Sequence, residues 1–108
     1  MSESLYQSLE RMGQPDVTVV GDLMLDTYVW GEVSRVSPEG PIPVVHVGER
    51  EHRPGGAAGV ASMLSHLGAS VSCVGAVGED RAGAVLREQL QENDIDASGL
   101  VNSADRPT

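Results

Sequence analysis

The run Arg53-Pro54-Gly55-Gly56-Ala57-Ala58-Gly59-Val60-Ala61 constrains this chain more than any other segment. Two adjacent glycines that open an Ala-rich apolar stretch let a backbone come close to a neighbour where a Cβ would collide. They stand where a helix begins, so the first N–H groups of that helix lack partners within it and face outwards. The spacing predicts a helix over residues 55–67, with Val60, Leu64 and Leu67 on one face and Ala57, Ala58 and Ala61 small enough for close packing on a sheet. The flanks supply that sheet. Asp16 to Val20, bounded by Pro15 and Gly21, and Ser70 to Val77 are compact apolar runs too short for helices, and both read as buried strands.

Asp80 can cap a further helix that runs to about Asn93, with Val85, Leu86 and Leu90 as its apolar stripe, and Leu100 with Val101 marks a third short strand. At the start of the chain, Leu5, Leu9 and Met12 fall at helical spacing before Gly13 and Pro15, which predicts an amphipathic helix over residues 3–12 that packs on or covers a sheet edge. Residues 27–53 have a different texture. Tyr28, Val29 and Trp30, then Pro38, Gly40, Pro41 and Pro43, then Val44-Val45-His46-Val47, read as a β-rich excursion outside any helix-flanked sheet. Strand, excursion, helix, strand, helix, strand is the opening of a parallel α/β sheet, and 108 residues fit one small domain.

Aromatics make up 3% of the chain and Phe is absent, so the core rests on Val, Leu, Ile, Met and Ala. A formal charge of −9 repels nucleic acid and anionic membrane surfaces, which argues against both as partners. No stretch approaches the ~20 apolar residues of a membrane span, and the first residues lack the apolar centre of a secretion signal. The simplest home is the cytoplasm. The single Cys73, in an apolar run, cannot form an internal disulfide and reads as a buried, inert thiol.

Three segments in order, Val17-Thr18-Val19-Val20-Gly21-Asp22-Leu23-Met24-Leu25-Asp26, then Ser34-Arg35-Val36-Ser37-Pro38-Glu39-Gly40-Pro41-Ile42-Pro43, then the glycine pair, resemble the N-terminal part of the ribokinase-like (PfkB) carbohydrate kinases. Within that family the likeness is greatest to the heptose 7-phosphate kinases of ADP-heptose synthesis, which serve lipopolysaccharide core assembly. It covers roughly residues 16–108 and about the first third of such a domain. The resemblance implies a ribokinase-like α/β fold in which residues 27–53 form a small β lid over the sugar, a lid that often supplies a homodimer contact. It also implies a sugar phosphate substrate, with ATP and Mg²⁺ used by the complete domain. The family keeps its anion hole and catalytic Asp in a Gly-Ala-Gly-Asp type motif further along the chain. No such motif occurs in residues 1–108, so no catalytic residue and no nucleotide or metal ligand is expected here, and the segment alone is expected to be inactive.

Asp26 stands where the family's sugar-binding Asp stands, and a carboxylate at the mouth of the first strand can accept bonds from two vicinal hydroxyls. The alternative is a loop carboxylate that caps local backbone. Asp22 is either a second sugar contact or an Asx-turn residue. Gly55 and Gly56 are expected to let the backbone approach the sugar. Gly59 occupies a position where the family usually has Asn, whose amide both donates and accepts, and glycine offers neither. A phosphorylated sugar needs cations at its far end, and among Arg35, Glu39, Arg50, His52 and Arg53 near the lid, Arg35 and Arg53 are the leading candidates. His46 and His52 have no further ligand beside them and do not read as a metal site. In Val77-Gly78-Glu79-Asp80-Arg81-Ala82-Gly83 the family has a similar turn, for which a helix N-cap is sufficient explanation.

From another class comes a non-catalytic sugar-binding or dimerisation module built on the same fold, which Gly59 favours. Either way the parallel sheet is expected to expose an unpaired edge, and the isolated chain to self-associate or to be only partly ordered.

Overall fold

The computed structural model describes residues 4–36, 40 and 43–108, with backbone alone for residues 34–36 and 43–46. Helix α1 (Leu5–Met12) is followed by strand β1 (Asp16–Val20), the long strands β2 (Leu23–Val36) and β3 (Pro43–Gly56), helix α2 (Ala57–His66), strand β4 (Ser70–Gly78), helix α3 (Arg81–Glu92) and strand β5 (Asp96–Ser103). β1, β4 and β5 form a three-stranded parallel sheet with β4 in the middle, and β2 and β3 form a separate antiparallel hairpin. The α/β class read from the sequence is therefore the class observed.

Both crossovers in the parallel sheet, β1 to β4 and β4 to β5, run in the same direction across it. With right-handed connections this puts α2 and α3 on one face. There Ala58, Ala61, Leu86 and Leu90 are fully buried against Val71, Cys73, Val77 and Leu100. The alanines let α2 lie close to the sheet, as expected, but its buried face is Ala58 and Ala61 with Leu64 beside them. Val60 and Leu67, expected on that face, point outwards and are 50% and 81% exposed. Small residues set the contact because a larger side chain would hold the helix axis off the strands.

The other face of the sheet is open. Val20 and Val74, register partners, and Val101, the partner of Ala76, are exposed there. β1 is thus half-covered rather than buried, which departs from the sequence expectation. α1 departs too. A capping box between Ser4 and Gln7 starts it and Gly13 at φ 62° ends it, but none of its residues is buried. Local capping defines this helix, and the packing expected of its apolar stripe is not seen.

The β-rich excursion expected over residues 27–53 is a hairpin of two 14-residue strands that begins at Leu23 and ends at Gly56. Register shifts fall between Trp30 and Gly31 and between Val33 and Arg35. One face of its root is held to the core through Leu23 and Leu25. On that face Thr27 bonds His52 Nδ1 at 2.9 Å, and the Gln89 amide of α3 donates to the His52 carbonyl at 2.8 Å. No helix among the described residues is long and apolar enough to cross a membrane.

Candidate functional site

Asp26 and the glycine pair, thirty residues apart in the chain, meet at the root of the hairpin. Asp26 lies not in a loop at the end of β1 but inside β2, opposite Arg53, while Gly55 pairs with Met24 and Gly56 with Leu23. The hairpin begins as soon as β1 ends, so this root sits at the carboxyl end of the parallel sheet, and Gly21 N–H still donates to the Val74 carbonyl at 3.2 Å. Ligands bind at this end of open parallel sheets.

The Asp26 carboxyl group covers Gly55. A Cβ built on Gly55 would stand 2.7 Å from Asp26 Cγ and 2.9 Å from its Oδ1, closer than real side chains pack. Gly56 has φ 56° and ψ −132°, a region open essentially to glycine alone, and a Cβ there would be 2.5 Å from the Asp22 carbonyl oxygen. That carbonyl also accepts the Ala57 N–H at 2.8 Å. One of the helix N–H groups expected to face outwards is therefore used to fix the β1–β2 turn against the start of α2. The outcome is an exposed Asp26 carboxylate with no hydrogen-bond or ion-pair partner among the described residues, pressed against buried Gly55. The backbone-capping alternative for Asp26 is not what the geometry shows.

Asp22 reaches the site mainly through its carbonyl. Its side chain makes no Asx-turn bond among the described residues and lines an open cleft of about 220 Å³ beside Met24, Gly78 and Ser103. Gly59, the third residue of α2, is half-buried, and a Cβ there would sit 3.1 Å from the Pro54 carbonyl oxygen. Arg53 is engaged already: its guanidinium grips Glu51 through two bonds of 2.9 and 3.0 Å and lies 4.6 Å over the Tyr28 ring. The Arg53 hydrogen bonds hold the Glu51 carboxyl below its usual range, and the same pair raises the guanidinium. Tyr28 in turn stacks on Trp30 at 5.8 Å, so a polar and aromatic ladder lines the Asp26 face of the hairpin. Arg35 lies in β2 opposite Val44, its side chain outside the described residues, as is Glu39.

Residues 14–108 match the pfkB family of carbohydrate kinases. The chain belongs to this family. Among curated relatives of this pfkB chain, the bifunctional protein HldE of Magnetococcus marinus is 58% identical over 88 residues, which are 82% of this chain and 18% of the relative. The D-beta-D-heptose 7-phosphate kinase of Bordetella bronchiseptica is 46% identical over 99 residues, 92% of this chain and 31% of that enzyme. Among solved structures, a sugar kinase from Pyrococcus horikoshii in complex with ATP superposes with a TM-score of 0.59 at 28% identity, over 84% of this chain and 28% of that one. The pfkB chain described here thus spans less than a third of the length of each of these relatives.

Two features of the site escaped sequence reasoning. Met24 shares the Asp26 face and its side chain comes within 3.3 Å of where a Gly56 Cβ would be. The period-2 alternation of β2 would have shown this had the strand been started at Leu23. The second is the cleft wall formed by residues 106–108, which no local pattern announces. Among the described residues no group of three His, Cys, Asp or Glu side chains is placed to hold a metal ion. No transfer step is assigned to these residues.

Proposed function

We propose that this chain is the sugar-binding N-terminal part of an ATP-dependent kinase that phosphorylates heptose 7-phosphate at its anomeric hydroxyl, on the route to ADP-heptose. The observation that carries the reading is the unpartnered Asp26 carboxylate pressed on Gly55 at the carboxyl end of the sheet. A carboxylate accepts bonds from two vicinal hydroxyls, and a glycine beneath it leaves room for a sugar ring to lie on the backbone. Asp26, Gly55, Gly56 and Asp22 form this half of the pocket in the proposal, and Gly59 lies beside it. Arg35 and Arg53 on the hairpin are the weaker members, Arg53 because Glu51 and Tyr28 hold it. In the reaction the γ-phosphoryl group of ATP moves to the anomeric oxygen, its bond to ADP breaks, and the hydroxyl proton goes to a base that residues 1–108 do not supply. The names of the relatives support this substrate.

Calorimetric titration tests the reading. The chain is expected to bind heptose 7-phosphate saturably and to show no turnover with ATP and Mg²⁺. Saturable ATP binding with no heat from the sugar would overturn it. A second reading, a non-catalytic sugar-binding or homodimeric module, is favoured by Gly59 and by the exposed Tyr28–Trp30 stack on the hairpin. A coding frame that continues past Thr108 into a Gly-Ala-Gly-Asp motif would decide against that module.

A further inference from the structure

We infer that Arg106 is the residue that reads the phosphate of the sugar substrate, an inference that rests on the sugar-site reading above. Of the two cations suggested by sequence, Arg53 is bound to Glu51 and Tyr28, and the side chain of Arg35 lies outside the described residues. The cleft beside Met24 is lined by both Asp22 and Arg106. Among the described residues the Arg106 guanidinium has no hydrogen-bond or ion-pair partner. The two residues suit the two ends of a sugar phosphate. Hydroxyl donors meet the Asp22 and Asp26 carboxylates, and phosphate oxygens meet a guanidinium whose planar fork binds them in pairs.

What fixes Arg106 there is the turn Gly78-Glu79-Asp80 at the end of β4. Thr108 Oγ1 accepts the Gly78 N–H at 2.9 Å and donates to Asp80 Oδ1 at 2.7 Å, while Thr108 N–H donates to Asp80 Oδ2 at 2.8 Å. The Arg106 carbonyl oxygen sits 2.6 Å from where a Gly78 Cβ would be, so only glycine lets the segment close down at this point. Gly83 N–H completes the Asp80 shell at 2.7 Å. The Gly-x-Asp-x-x-Gly turn therefore does more than start α3. It clamps residues 106–108 across the carboxyl ends of β4 and β5 and sets the Arg106 backbone at the mouth of the cleft.

The experiment is a pair of titrations, heptose 7-phosphate and unphosphorylated heptose, on the chain and on Arg106→Gln. The unmodified chain should prefer the phosphorylated sugar by at least ~tenfold, the order expected for hydrogen bonds between charged groups. Arg106→Gln should lose that preference and keep its affinity for heptose, which also shows that the variant folds. A variant that keeps the preference overturns the inference, as does one that loses both sugars. An unmodified chain that binds heptose with no preference also overturns it, while the sugar site stands. Binding of neither sugar by the unmodified chain removes the proposed function and this assignment with it.

Discussion

Two corners of this molecule press an aspartate against a glycine, and they differ in what is left over. At the Gly78–Gly83 corner, Asp80 receives three hydrogen bonds, two from Thr108 and one from Gly83 N–H. Those bonds, the Thr108 hydroxyl first, hold its carboxyl below the usual range. At the Gly55 corner, Asp26 is closer still to a glycine and receives none among the described residues. The first carboxylate is saturated and holds chain segments together. The second keeps its acceptor capacity for something from outside. Proximity to glycine does not separate the two roles; the count of donors does.

The comparison breaks most visibly if Asp26 proves structural. Asp26→Asn should lower heptose 7-phosphate affinity by ~10–100-fold, the value of one or two hydrogen bonds to a charged acceptor, and leave the thermal midpoint nearly unchanged. Gly55→Ala should act the same way, since its methyl forces the Asp26 side chain to rotate off the backbone. A large fall in melting temperature with intact binding, for either variant, would merge the two corners.

A smaller effect sharpens the picture at the sugar side. Gly59→Asn, tested in a chain extended to the length of the relatives, should on the proposed function tighten sugar binding by ~2–10-fold by supplying one neutral hydrogen bond. The gain is limited because the new Cβ must displace the Pro54 carbonyl by a few tenths of an ångström. Unchanged or weaker affinity in titration would show that Gly59 does not face the ligand.

The smallest effect is the pH response of the clamp. Asp80 has a depressed folded-state pKa, so its contribution to stability is complete above the unfolded-state value near ~3.9 and fades as pH falls through the folded value. Below about pH 4, Asp80→Asn should flatten the fall in melting temperature with falling pH. A slope left unchanged by Asp80→Asn would contradict the structural role given to this carboxylate.

The sheet was legible because its signals are local. A β-branched run between Pro15 and Gly21, and an N-cap Asp80 ahead of a Leu86–Leu90 stripe, fix β1 and α3 without reference to anything distant. The glycine pair was legible as a close approach, but not what approaches: Asp26 reaches Gly55, 29 residues further along the chain, only through the register of the hairpin. Placing Asp26 in a loop followed from starting the excursion at Thr27, although Leu23 to Tyr28 already alternates inward and outward. Arg53 was a fair candidate by charge alone. Its bonds to Glu51, a same-face neighbour two residues away, are also a period-2 signal and could have been read. The outward Val60 and Leu67 of α2 mislead because helical periodicity marks apolar faces without saying which neighbour covers them.

The hairpin gives the molecule an arm. Fourteen residues of strand extend about 45 Å, and the chain measures 67 Å along its longest axis. Asp26 sits near the anchored base of that arm, below the register break at Trp30 and Gly31, as a load-free point on a cantilever sits near its support. The carboxylate is thereby held at the fixed end of the hairpin, next to the core that anchors Leu23 and Leu25.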